Sequence, residues 1–241
     1  MRILIISDLH LCDIRNGIVF EKKRLEKLAD LILSTGVTMV LNLGDVISRK
    51  EYLRPEIQSL EDGFWYYRAW RDRLGIPFVE CAVEREFSFF TEILGQEPDF
   101  ICDALPNMRV VAMAPKEASD HRFTEEQIDF LENALRESDS DRILIGTHVP
   151  YPGSCSRVAK AGIYLEIPER LRVLMEESER QIYWCGGHFH WHLDPPRQLG
   201  SLTAFYGGRF CFENQPEKAG WLRSIDAETG KIETVLASFS W

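Results

Sequence analysis

Ile3-Leu4-Ile5-Ile6-Ser7-Asp8-Leu9-His10 follows the first two residues of the chain. Its apolar half is short and rich in β-branched side chains, which predicts a buried strand, and the polar residues come where that strand leaves its sheet. Open α/β sheets keep their chemistry at the carboxyl ends of strands. There, Asp8 and His10 offer one carboxylate and one imidazole, a donor pair suited to zinc, manganese or iron. A turn or a helix cap can carry the same two residues, so the pair acquires meaning only from what else shares its setting.

The same setting recurs three times. Leu41-Asn42-Leu43-Gly44-Asp45, Ile143-Leu144-Ile145-Gly146-Thr147-His148 and Ile182-Tyr183-Trp184-Cys185-Gly186-Gly187-His188-Phe189-His190 each run from an apolar strand pattern into an acid or a histidine. Of the six histidines, four sit at these exits, His192 follows closely and only His121 lies elsewhere. Histidines serving unrelated packing roles would be scattered.

Composition narrows the function. The 241 residues are 45% hydrophobic and 27% charged, enough apolar material for a sizeable core in one large α/β domain or two small ones; nothing looks like a linker, and a single domain spanning 1–241 is the expectation taken forward. Acids outnumber bases 38 to 28, and the net charge of −10 argues against bulk nucleic-acid or anionic-membrane binding. The six cysteines show no C-x-x-C spacing, and several lie inside apolar runs, as reduced core thiols do. No segment approaches membrane-spanning length and the first apolar run is too short for a signal peptide; the expected location is the cytoplasm.

Between the exits, apolar residues at helical spacing predict a helix over Ile18 to Ser34, stopped by Gly36, and a strand over Val37 to Leu43, together one crossover unit of a parallel sheet. A helix opened by Pro55 is expected to reach Leu74, with the aromatic run from Phe64 to Trp70 packed in the core. Further strands are expected at Ile76 to Val83 and Met108 to Met113, helices at Glu84 to Leu94 and from an N-cap at Thr124, a strand from Arg142 and a helix from Pro168. After His192, short alternating runs at Leu202 to Tyr206, Arg209 to Phe212, Trp221 to Ile225 and Ile232 to Phe239 predict antiparallel strands completing a second sheet. Arg49, Lys50 and Arg54 lie just beyond Asp45, either as a solvated loop or as an approach for a phosphate, and the loop holding Arg157 and Lys160 is a candidate substrate wall.

Asp8-x-His10, Gly44-Asp45, His148 and Gly187-His188-Phe189-His190, in that order, resemble the calcineurin-like metallophosphoesterase superfamily over nearly the whole chain. Length and the Thr124 to Leu135 segment look most like its class III cyclic-nucleotide phosphodiesterases. The resemblance implies a two-sheet α/β sandwich flanked by helices and two divalent metal ions, manganese, iron or zinc. It places Asp45 as the carboxylate between them, Asp8, His10 and His190 on one metal, and His148 and His188 on the other. The implied reaction is hydrolysis of a small phosphate ester by a metal-bridging hydroxide, without a protein nucleophile.

One motif departs. Where the family carries Gly-Asn-His-Asp or Gly-Asn-His-Glu, this chain has Val83-Glu84-Arg85-Glu86. Val83 would be strained if the turn required a positive φ. Three readings follow. Glu84 replaces the Asn as a metal ligand while Arg85 takes the histidine's place as an electrophile toward phosphate, through a donor fork that cannot release a proton at neutral pH. Alternatively, Glu84 and Glu86 are acids favoured at a helix N-terminus, the site is dead or holds one metal, and the chain acts as a binding or scaffold protein. In the third, the histidines are purely structural. The expectation taken forward is a metal-dependent phosphoesterase, a phosphodiester being preferred to a monoester, with Arg85 catalytic and Glu84 among the ligands.

Overall fold

The computed structural model describes residues 1–115, 121–154, 164–190, 194–209 and 220–237, with only the backbone described at Glu84, Arg209, Leu236 and Ala237. Arg157, Lys160, His192 and residues 210–212 and 238–239 of the expected strands lie outside them.

Strand β1 (Arg2–Ile6) pairs in parallel with β2 (Val37–Asn42), and β2 with β3 (Phe78–Glu80). On its other side β1 meets β11 (Gly220–Asp226) antiparallel, and β11 also carries β10 (Gly208–Arg209) and β12 (Ile232–Ala237). The second sheet runs β4 (Phe100–Leu105), β5 (Met108–Met113), β6 (Arg142–Thr147), β7 (Gln181–Gly186), β9 (Leu202–Tyr206), β8 (Arg197–Leu199), with a parallel centre from β5 to β9. The architecture is a mixed α/β sandwich of two six-stranded sheets with helices on the outer faces, as expected.

Strand alternation explains the layering. Ile3, Ile5, Met39 and Leu41 point inward with Val110, Leu144, Cys185 and Phe205 of the other sheet and form the inter-sheet core. Their neighbours Leu4, Ile6 and Val40 face α1 (Ile18–Ser34), α2 (Leu60–Asp72) and α3 (Phe87–Leu94). Val111, Ile143, Ile145 and Trp184 do the same for α4 (Glu125–Arg136) and α5 (Glu169–Glu176). Phe64, Tyr67 and Trp70 are buried in the first of these outer cores, so the aromatic run is packing, with Trp65 alone of its large rings exposed.

Several sequence expectations shift. Pro55 does not open α2; Ser59 does, through a capping box with Asp62, because a side chain that satisfies an orphan amide outweighs the fixed φ of proline. The segment before α3 is a single 3-10 turn, Glu84–Glu86, rather than α-helix. Thr124 caps α4 as expected, and the structure adds Gln127 as its capping-box partner. The strands after residue 192 do not form one antiparallel sheet: β9 extends the second sheet in parallel beside β7, while β10, β11 and β12 join the first. β4 and β8 were not foreseen; both are edge strands with mixed, exposed sequences that lack an alternating pattern.

Candidate metal centre

The parallel register sets the height of the four exits. Ile6 lies beside Asn42 in one sheet and Thr147 beside Gly186 in the other, so the four chains leave together at one end of the sandwich. The exit loops are then tied in pairs: Asp8 N donates to Gly44 O (3.0 Å), His10 N to Asp45 O (3.2 Å) and Gly187 N to His148 O (2.9 Å). Asp8 (φ 54°), His10 (45°), Asp45 (53°) and His188 (75°) all adopt left-handed backbone, which non-glycine residues hold only when the surroundings over-determine it, a condition that gathers at functional sites. Two glycines make the approach possible. Gly44 has φ 90° and a Cβ there would sit 2.7 Å from Cys81 O, while a Cβ on Gly187 would run into Ser7 Oγ.

Asp8 is fully buried. Its Oδ2 accepts from Ser7 Oγ (2.5 Å) and from His188 N (3.1 Å), and its Oδ1 lies 3.1 Å from His190 Nε2. His10 Nε2 is 3.2 Å from His190 Nε2 and 3.6 Å from Asp45 Oδ2. On the far side, His148 Nε2 is 4.0 Å from the same Asp45 oxygen and 3.2 Å from His188 Nδ1, and its own Nδ1 faces Leu43 O at 3.0 Å. That last contact fixes the ring and favours a lone pair on the inward-facing Nε2. The structure thus brings together all six residues Asp8, His10, Asp45, His148, His188 and His190.

Donor atoms of Asp8, His10 and His190 lie within 4.8 Å of one another, as do those of Asp8, Asp45 and His148. Burial works to raise the carboxyl of Asp8, but the His190 contact and the charges of His148, His190 and His10 hold it well below the usual carboxylate range. Asp45 is likewise held down, against burial, by His10, His148 and Arg85. Burial, helped by His148, pushes His188 down to about 4, leaving it neutral at physiological pH. Anionic carboxylates beside the neutral imidazole of His188 are protonation states that divalent cations require, and the carboxylate and imidazole donors together fit two such ions.

The altered motif lies beside Asp45. Arg85 Nη2 donates to Asp45 Oδ1 and, at 3.2 Å, to Ile47 O. Val83 is not among the described residues of positive φ, which is why valine is tolerated where the resembling family has glycine. Glu86 is buried, accepts from Val83 N at 2.9 Å and so secures the turn; burial pushes its carboxyl up to about 8. The side chain of Glu84 lies outside the described structure, so its place among the ligands stays an expectation.

A cavity of about 480 Å³ opens on the Asp45, His148 and His188 side, where Arg49, Lys50, Arg85 and His121 join apolar Leu60, Val83, Pro115 and Val149. Arg54 does not: it is buried and paired with Glu21 at 3.1 Å, a structural contact between the loop after β2 and α1. His121, which reads in sequence as an ordinary loop residue, lines this cavity with φ 51°. Only its being the sole histidine remote from the strand exits could have singled it out.

Comparison of the whole chain with solved structures gives a crystal structure of a dimetal phosphatase from Danio rerio, with a TM-score of 0.69 at 15% identity, covering 100% of this chain and 99% of that one. The chain has the fold of a dimetal phosphatase. A Streptococcus pneumoniae protein described as a predicted phosphoesterase (TM-score 0.38, 13% identity, 98% and 97% covered) and a Pseudomonas putida nuclease (0.37, 12%, 97% and 87%) are more distant likenesses. No protein-family profile and no curated protein sequence matches the chain. Among the described residues, no helix is long and apolar enough to cross a membrane.

Proposed function

We propose that this chain is a phosphoesterase that works with two divalent metal ions of the manganese, iron or zinc type, and that its substrate is a small phosphodiester. The observation that carries this reading is the convergence of two carboxylates and four imidazoles from both sheets onto one end of the sandwich. Asp8, His10 and His190 would hold one ion, His148 and His188 the other, and Asp45 would stand between them. When bound, such ions neutralise ester oxygens and make a water nucleophilic at neutral pH.

The chain's own residues supply the rest. Asp8 and Asp45 stay anionic and His188 stays neutral across physiological pH. Arg85 would meet phosphate oxygens with a planar donor fork but cannot protonate a leaving group. The apolar wall of Leu60, Pro115 and Val149 suits the second organic substituent that a diester has and a simple monoester lacks. Chain length and α4 ahead of β6 support the cyclic-nucleotide phosphodiesterase subtype, and the free thiols of Cys12, Cys81, Cys102 and Cys185 support a cytoplasmic location.

A second reading, a binding protein on an impaired site, draws on the hold of Arg85 on Asp45. Hydrolysis of bis-p-nitrophenyl phosphate with added manganese separates the two, with Asp45→Asn as the control for contaminating phosphatase. Turnover that disappears in the control is the expected result. Metal uptake without turnover on this diester or on cyclic nucleotides would favour the binding role.

A further inference from the structure

The two halves of the centre are not equally available to a cation. Asp8, His10 and His190 are not among the residues that line the cavity. Asp45 is different: Arg85 already holds its Oδ1, and the guanidinium is anchored a second time on Ile47 O at 3.2 Å. Only Oδ2 is left facing His10 and His148, at 3.6 and 4.0 Å. A fixed positive charge on this carboxylate opposes a metal at the His148–His188 side in two ways, by occupying one of its oxygens and by repelling a second cation close by.

Resting on the phosphoesterase reading above, we propose that Arg85 is an internal counter-cation that competes with the second metal for Asp45, and that a phosphate-like anion in the cavity relieves the competition. Arg85 itself lines that cavity, and its Nε is buried with no hydrogen-bond partner among the described residues, so it has donor capacity beyond Asp45 and Ile47. A phosphate-like anion arriving beside Arg49, Lys50 and Arg85 gives the guanidinium another partner and releases Asp45 Oδ1. Substrate and second metal therefore bind with positive coupling, and linkage makes the effect reciprocal. The free protein is a one-metal species at low metal concentration and completes its centre when substrate is present.

The test is isothermal titration of manganese into the metal-stripped full chain, comparing wild type with Arg85→Met and with Arg85→Gln, which keeps a hydrogen-bond donor without the charge. Thermal denaturation checks that each variant is folded. Wild type is expected to bind in two steps, and both variants to tighten the second by about tenfold while leaving the first nearly unchanged. Dimethyl phosphate, a small phosphodiester monoanion, should tighten the second step of wild type by a similar factor and that of the variants much less. A second step no tighter in the folded variants, or weaker, overturns the competition. An equal gain from dimethyl phosphate in all three proteins overturns the relief by anion. Wild type that takes up no manganese at either step would sink the phosphoesterase reading itself, a result distinct from the other two.

Discussion

The Asp8–His10–His190 half and the Asp45–His148–His188 half use the same residue types on the same kind of strand exit, yet they are built differently. In the first, the carboxylate is fully buried and accepts from Ser7 Oγ and His188 N, so its geometry is fixed before any ligand arrives. In the second, the carboxylate is held by an arginine from the β3–α3 segment, and all three residues face the cavity. One half is a closed ligand set, the other an open one whose charge is already partly balanced. The difference teaches that a chain can keep all six of these Asp and His residues while changing how strongly one of its two positions attracts a metal, through a single residue that is not among them.

The largest effect expected is from breaking one half at a time. His190→Ala should lower manganese affinity at the first step by more than about hundredfold, since even residues that merely orient ligands are worth 10–100-fold, whereas His188→Ala should spare that step and abolish the second. Titration calorimetry reads both; loss of both steps in His188→Ala would show that the halves are not separable. Gly187→Ala sharpens the comparison from the packing side. Its new Cβ would collide with Ser7 Oγ, the group that fixes Asp8, so unfolding in urea should show a loss of about 1–3 kcal/mol together with weakened first-step binding.

The effect furthest from the metal ligands concerns Glu86, which secures the turn carrying Arg85. Its carboxyl is raised by burial to about 8 in the folded chain, so above its unfolded value the folded state binds more protons than the unfolded one, and stability falls as pH rises through that window. Glu86→Gln keeps an acceptor for Val83 N without the titration. Relative to wild type it should gain stability progressively as pH rises from about 5 to about 8 in urea unfolding, and no further above that. A difference that does not change with pH would show that Glu86 titrates normally.

Much of this centre is legible in the sequence because each residue follows a β-branched strand, and a parallel sheet delivers the ends of such strands to one edge. Asp8, Asp45, His148 and His188 could be paired across 180 residues for that reason alone. The paired loops and left-handed turns that aim them were not legible, because a positive φ at Asp8 or His188 depends on long-range contacts such as Asp8 N to Gly44 O. The contact of Arg85 with Asp45 was hidden in the same way: the motif gave the residue type, and only the 3-10 turn before α3 says which way it reaches. The partition of the late strands between two sheets followed from neither pattern nor turn, since β9 and β11 have similar alternating sequences and differ only in which sheet edge was open to them.

Anomalous diffraction at the manganese edge, from crystals of the full chain grown with excess manganese and a phosphate analogue, tests the central claim most directly. The account predicts two peaks, one among Asp8, His10 and His190 and one among His148, His188 and Asp45, with Arg85 turned from Asp45 to the analogue. No peak at these residues under those conditions would contradict it.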